Sequence, residues 1–568
     1  MDLAERFEIV CLVCYLLLVQ CRLRIRSGII ALPDLEIFAQ HVLETGLPST
    51  YPRIQTDGKI LRKPSELPWH VFLFAIFPIL SLLAKNTGQI DNADSHRSFV
   101  LSVIISAIML LITQRILRNW QKAGALVTVL NLLFFSYGHV YTYVEDAAIA
   151  GILLGRHRVL AVLWLVLLVT SFLWIVKRKD LQSLTSGLNF MTLFLLILPS
   201  YTVASFWYSN LNTHVTKLSE NPSVANLETS VDSPDVYFLV LDQYARSDIL
   251  AEYFKYNNSA FLDGLEELGF YVASCSHSNY PYTTASLAAT LNFNYVPELG
   301  EDFKPENKSY LPMQQAIKNN RVQAAFRQLG YQIIAFETGY NFTELEDADV
   351  FYKLSSKKSN GFEALLLRSS ALLVPADFGL LDQYVLTDNA RKRERVLFVL
   401  DQLKDIPSLP GKKFVFVHLV MPHPPFVFGP NGEDWEIPPY YENGEAGWKK
   451  DDFRKGYHNQ AVFISSKILN VIRIIIANSP QTPVIIIQGD HGPTTIPNEK
   501  RLSILNAYLF PDAMPDVYPT LTPVNNFRLV FNTFFNGSLP VLPDKSYRVD
   551  INQPHVFKER KDLPACPP

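Results

Sequence analysis

The pattern of apolar and polar positions changes character near residue 210. Before it, five apolar runs follow one another: Trp69–Lys85, Ser98–Leu117, Ala123–Val144, Val159–Val176 and Leu188–Tyr208. Each is close to the roughly 20 residues that cross a bilayer as a helix, the first being the shortest. A soluble core cannot absorb five such runs in succession, because no amphipathic helices are left to cover them. The pattern predicts five membrane spans. An earlier run, Ile9–Val19, reads equally as a sixth span or as an interfacial helix, and the acidic start (Asp2, Glu5, Glu8) lacks the positive flank of a signal peptide.

Charge orients these spans. Arg53, Lys59, Arg62 and Lys63 precede the first run, Arg115, Arg118 and Lys122 separate the second from the third, and Lys177, Arg178 and Lys179 separate the fourth from the fifth. The alternate connections carry Asp91 and Asp94, then Glu145 and Asp146, the latter partly offset by Arg156 and Arg158. Basic loops stay cytoplasmic, so the chain after residue 208 is expected on the extracytoplasmic side of the plasma (inner) membrane.

Residues 213–234 are polar and mixed, as in a linker. Beyond them, short aliphatic runs at Val236–Leu241, Gln332–Phe336, Phe414–Leu419 and Val484–Gln488 read as strands. Helical patterns fall between, including Met313–Leu329, Ala390–Leu403 and Tyr457–Ile475. Strands nearly continuous in aliphatics and separated by helices argue for a parallel sheet covered on both faces. The expected organisation is an extension (1–63), a five-helix membrane domain (64–208), a linker (209–234), an α/β catalytic domain (235–540) and a tail (541–568). The net charge of −3 over 568 residues gives no reason to expect a nucleic-acid partner. Cys11, Cys14 and Cys21 lie close together while Cys275 and Cys566 stand alone, which is neither a disulfide framework nor a metal motif.

In open α/β sheets, ligands bind at the carboxyl ends of strands. The first predicted strand ends on Asp242, the third leads through His418 to His423, and the fourth ends on Asp490-His491. Singly, each has a plainer reading as a helix cap, a turn or a rigid loop. Together they are suitable ligands for one divalent metal ion, zinc or manganese. The stretch SNYPYTTASLAATLN, residues 278–292, adds a turn leading into a small-residue helix that starts near Thr283. A hydroxyl there sits where free N–H groups favour an anion such as phosphate, and metal coordination would activate it as a nucleophile.

In this order and membrane context, the blocks resemble the sulfatase-like branch of the alkaline-phosphatase superfamily. The resemblance is strongest to lipoteichoic acid synthases and lipid A phosphoethanolamine transferases, over roughly residues 69–540. It implies an N-terminal helical membrane domain followed by an α/β domain whose mixed sheet is covered by helices on both faces. It implies Asp242, Thr283, Asp490 and His491 around the metal and Thr283 as nucleophile, with Thr284 the competing choice. It also implies His423 against the transferred group, while His458 is a weaker candidate. The implied activity moves a phospho-group from a membrane lipid donor, through a phosphothreonine-type intermediate, to a glycan or glycolipid acceptor. Two alternatives stand beside it: a phosphoester hydrolase of the same fold, and a non-catalytic membrane protein with a relic domain. Cys275–Asn279 (CSHSN) lacks the Pro and Arg of the sulfatase motif, and Asp490-His491 replaces its Asp-Asn, so sulfate ester hydrolysis is disfavoured. No further histidine follows His491 closely, which points to a single metal.

Overall fold

The computed structural model describes residues 67–87, 92–144, 148–149, 152–153, 155–212, 227–230, 232–354, 359–381, 388–435, 450–511, 515–550 and 552–566. The run Ile9–Val19 and most of the linker lie outside the described residues.

Among the described residues, five helices form the membrane part: α1 (His70–Lys85), α2 (His96–Leu117), α3 (Trp120–Val144), α4 (His157–Lys177) and α5 (Gln182–Asn212). The last four are long and apolar enough to cross a membrane, whereas α1 has only 16 residues. It packs against α2, α3 and α5 and buries Val71, Phe74, Ala75, Ile79 and Leu83. On α2, α4 and α5 the large apolar side chains point outward instead, with Ile116 71% and Leu198 72% exposed. Such faces suit lipid, and helices satisfy their own backbone there. The chain is an integral membrane protein.

The α/β part opens with β1 (Val236–Leu241), α6 (Ser247–Phe254), α7 (Ser259–Glu267), β2 (Tyr271–Val272) and α8 (Thr283–Leu291). It continues with α9 (Leu311–Lys318), α10 (Arg321–Gln328), β3 (Gln332–Phe336), β4 (Val350–Tyr352), α11 (Gly361–Ser369) and α12 (Leu373–Asp377). Next come α13 (Asp388–Gln402), β5 (Lys413–Leu419), α14 (Lys450–Asn478), β6 (Val484–Gly489) and β7 (Asn506–Leu509). It closes with α15 (Asn526–Phe534) and the hairpin β8 (Tyr547–Asp550) and β9 (Gln553–Glu559). Helix α14 also has the length and composition of a span. Its apolar face (Phe453, Tyr457, Ile464, Ile468, Ile472) instead lies in the core of the α/β part.

Seven strands form one sheet in the order β2-β7-β6-β1-β5-β3-β4. The five from β6 to β4 are parallel, while β7 and β2 join antiparallel at one edge. The sheet is therefore mixed, as expected: the aliphatic strands read from the sequence run parallel, and the antiparallel pairings fall at the edge where the short strands β2 and β7 join. Alternate residues of β1 feed opposite faces. Val236, Phe238 and Val240 pack with Phe326, Phe414 and Phe527, whereas Tyr237, Leu239 and Leu241 pack towards α13 and α14. Each such side chain, fully buried, contributes about 1.5–3 kcal/mol. The single helix expected over Met313–Leu329 is two, because Asn320 caps α10 by accepting from the amide of Gln323 at 2.7 Å.

Candidate metal centre and reaction pocket

Strand register brings the site together. In the parallel ladders, Leu241 of β1 stands opposite both Leu419 of β5 and Gly489 of β6. One residue further along, Asp242 and Asp490 therefore leave the sheet side by side. The approach is close: a Cβ on Gly489 would lie 2.1 Å from the carbonyl oxygen of Tyr244. After Asp242 the chain turns through Gln243, held in the left-handed region at φ 65. Such a conformation costs of order 1–3 kcal/mol and persists only where neighbours fix it. Here the hydroxyl of Tyr457 donates to the Gln243 carbonyl at 2.7 Å.

Each acid has one oxygen left over. Asp490 Oδ1 accepts from the amides of Gln243 (2.9 Å) and His491 (2.8 Å), while Oδ2 is buried with no hydrogen-bond partner. Asp242 Oδ1 is likewise buried without a hydrogen bond, and its Oδ2 lies 3.4 Å from Nε2 of buried His418. His491 Nδ1 donates to the carbonyl of Gly492 at 2.8 Å, which leaves the Nε2 lone pair facing the acids. Ligand atoms of Asp242, Asp490 and His491 all lie within 4.8 Å of one another. Burial works to raise the pKa of Asp242, but His423, His418 and His491 outweigh it and hold the carboxyl below its ordinary value. Two buried carboxylates with orphaned oxygens beside an imidazole lone pair are costly unless a cation joins them. The donor set fits a divalent metal ion.

Thr283 is the first residue of α8, and its Oγ1 lies 3.2 Å from His491 Nε2. Thr284 lines the same cavity but is 8% exposed and makes no such contact. The opening amides of α8 have no partner within the helix. One turn further on, Ser286 donates to the carbonyl of Asp490. Arg501 binds the carbonyls of Pro281 (2.8 Å) and Gly492 (3.4 Å), tying the turn before Thr283 to the turn after His491.

A cavity of about 500 Å³ opens over these groups, lined also by His423, Arg501, Arg548 and Arg560. His423 sits on the loop after β5, with Nδ1 donating to the carbonyl of Pro424. Lys392 of α13 is buried beneath this loop and donates to the carbonyls of His423 and Pro425. Burial pushes its pKa down to about 7 against the opposing pull of Asp242. Gln460 adds bonds to the carbonyls of Pro422 (3.1 Å) and His423 (3.2 Å). His458 is bonded to the carbonyl of Phe254 and lines no part of this pocket.

Sequence reasoning missed several of these residues. Lys392 is written in the charged run NARKRER, which reads as a solvated helix face. Arg548 and Arg560 belong to the C-terminal stretch set apart as a tail, which instead forms the β8–β9 hairpin over the pocket. Cys275 and Cys566 are not isolated: they form a disulfide, with 5.0 Å between Cα atoms across 291 residues.

No family model matches the chain, and no curated protein matches it. Solved structures do. The C-terminal periplasmic domain of EcEptC from Escherichia coli, in complex with Zn, is 13% identical, with a TM-score of 0.41 over 60% of this chain and 97% of that one. The integral membrane protein lipooligosaccharide phosphoethanolamine transferase A from Neisseria meningitidis is 14% identical, with a TM-score of 0.31 over 79% of this chain and 89% of that one. A 2-O GAG sulfatase, BT1596, is 12% identical, with a TM-score of 0.32 over 54% of this chain and 72% of that one. The solved structures similar to this chain thus include phosphoethanolamine transferases and sulfatases.

Proposed function

We propose that the chain is a phosphotransferase that takes a phospho-group from a membrane phospholipid onto Thr283 and delivers it to a glycan or glycolipid acceptor. The observation that carries this reading is the Thr283 hydroxyl at a helix N-terminus, 3.2 Å from His491 in the Asp242–Asp490–His491 cluster. A zinc or manganese ion held by that cluster would supply Lewis-acid polarisation of phosphoryl oxygens and lower the pKa of a bound hydroxyl. Thr283 Oγ1 gives its proton to water in the open pocket and forms the new bond to phosphorus as the bond to the diacylglycerol oxygen breaks. The acceptor's hydroxyl oxygen then bonds to phosphorus, its proton lost to water, as the bond to Oγ1 breaks and Oγ1 regains a proton. The opening amides of α8 and the Arg501 guanidinium meet the phosphoryl oxygens. His423, with Nδ1 engaged by Pro424, presents Nε2 to the leaving oxygen as a hydrogen-bond donor or general acid. Threonine at this position and the engagement of Cys275 in a disulfide argue against sulfatase chemistry, which needs a converted cysteine or serine. The basic loops and the disulfide both favour an outward-facing catalytic part.

The test is peptide mass spectrometry on the detergent-purified protein after incubation with metal and mixed phospholipids, beside Thr283→Ala. An adduct on the Thr283 peptide, absent from the variant, is the expected result, and its mass names the transferred group. Bound metal without any adduct moves the reading to a hydrolase of another phosphoester. Absence of both metal and adduct ends the enzyme reading.

A further inference from the structure

A second cavity lies far from Thr283, among the membrane helices. It is an open cleft of about 1090 Å³ between α2, α3, α4 and α11, slightly above the roughly 300–1,000 Å³ typical of small-molecule sites. Its walls are apolar, with Leu101 and Ile105 from α2, Phe134 from α3 and Leu165 from α4. Its roof is α11, from the α/β part, and the roof is fastened down. Asn360 donates to the carbonyl of Asp94 at 2.8 Å, and the amide of Ala371 donates to the carbonyl of Phe134 at 2.8 Å. Gly138 of α3 lets the chain pass, since a Cβ there would lie 1.9 Å from the carbonyl oxygen of Arg368. At the mouth, Arg97 and Glu363 form an ion pair.

This cavity does not end at the membrane. Ser359 lines both it and a polar cavity of about 500 Å³ in which Lys353, Arg391, Lys392 and Arg395 stand against Asp94, Glu337 and Glu344. The polar cavity reaches Tyr340 and Pro424. The ring of Tyr340 lies 6.0 Å from that of His423, which lines the reaction pocket. Apolar cavity, polar cavity and reaction pocket therefore succeed one another from the membrane helices towards Thr283.

We infer that the apolar cavity seats the acyl chains of a glycerophospholipid whose phosphate end enters the polar cavity on the way to Thr283. This rests on the reading of a lipid donor. Helices with outward apolar faces place the cavity at the level of the hydrocarbon, where water is scarce and acyl chains are abundant. Walls that are apolar apart from the Arg97–Glu363 pair at the mouth and a few serines and Asn131 accept chains, and Lys353 and Arg391 beyond them accept a phosphate.

The full chain is reconstituted in vesicles containing a diacyl phospholipid with a photoreactive diazirine on one chain, irradiated, and its labelled peptides are mapped. Label concentrates on peptides spanning residues 101–109, 130–134 and 361–372. Leu101→Trp and Leu165→Trp, each placing an indole in the cavity from a different wall, lose that label and keep the label on the outer face of α5 at Phe190 and Leu198. That retained label also reports that the variants insert and fold. Thr283→Ala labels like the parent. Label spread evenly over α2, α4 and α5, and unchanged by either tryptophan, overturns the inference. The adduct on Thr283 is read separately: an adduct without focused label removes the cavity and leaves transfer, whereas focused label without an adduct does the reverse.

Discussion

The hydroxyl of Ser286 donates to the backbone carbonyl of Asp490 at 2.9 Å, and that of Ser278 donates to the same carbonyl at 2.5 Å. One turn of α8 thus presents the Thr283 hydroxyl and clamps the residue beside its partner histidine. Ser286→Ala is expected to weaken metal affinity about 10–100-fold, because groups that orient ligands carry that much of a site. Competition against a chelator of known affinity measures it. Unchanged affinity in both Ser286→Ala and Ser278→Ala would show the clamp to be idle.

Metal removal should cost stability. Asp242 Oδ1 and Asp490 Oδ2 are buried without hydrogen-bond partners, so folding confines two carboxylates that only a cation reconciles. Chelator-treated protein is expected to melt lower, and zinc or manganese at about 100 times its Kd should restore about 2.7 kcal/mol. Equal melting of stripped and loaded protein would count against a metal centre here.

Acid should weaken the fold through His277. Burial, with Arg246 adding to it, lowers its pKa to about 4. Between that value and the unfolded value of about 6.5, the unfolded chain binds the extra proton, so stability rises with pH across the window. It is lost as pH falls from about 6.5 to about 4, up to about 3 kcal/mol. Denaturation followed at several pH values, against His277→Gln, isolates this part. An identical pH slope in the variant would assign the loss elsewhere.

The disulfide should be worth about 2–5 kcal/mol of resistance to unfolding. It fastens the chain after β9, whose Ala565 carbonyl accepts from Arg246 at 3.4 Å. Cys566→Ser and mild reduction are expected to lower the melting temperature alike, with a mobility shift on non-reducing gels. A wild-type chain that alkylates at both cysteines without reductant would refute the bond.

Much of this was legible in sequence, for physical reasons. Membrane spans announce themselves because lipid-facing helices are apolar on every side. Central strands do so because both their faces are buried, as in Val236–Leu241, which forms β1 with those bounds. Asp242 and Asp490 were findable because strand ends are where open sheets bind ligands. What stayed hidden depends on tertiary pairing. Lys392 is charged in a charged run, and only burial under the His423 loop separates it from its neighbours. The break between α9 and α10 turns on one asparagine cap. Strand β8 alternates half-buried and exposed positions, and β9 (QPHVFKE) buries Pro554 and His555, so neither carries an apolar run to mark it.

The 291 residues between Cys275 and Cys566 also set a clock. At about 5–20 residues per second, the second cysteine is made roughly 15–60 s after the first. Throughout that interval Cys275 is a thiol awaiting a partner, and the pocket wall bearing Arg548 and Arg560 does not yet exist. Thr283 and Asp242 are made early, but Asp490 and His491 follow only about 4–15 s before Cys566, so the cluster and its last wall are finished close together. The oxidising step that joins the two cysteines marks the moment the pocket acquires its last wall.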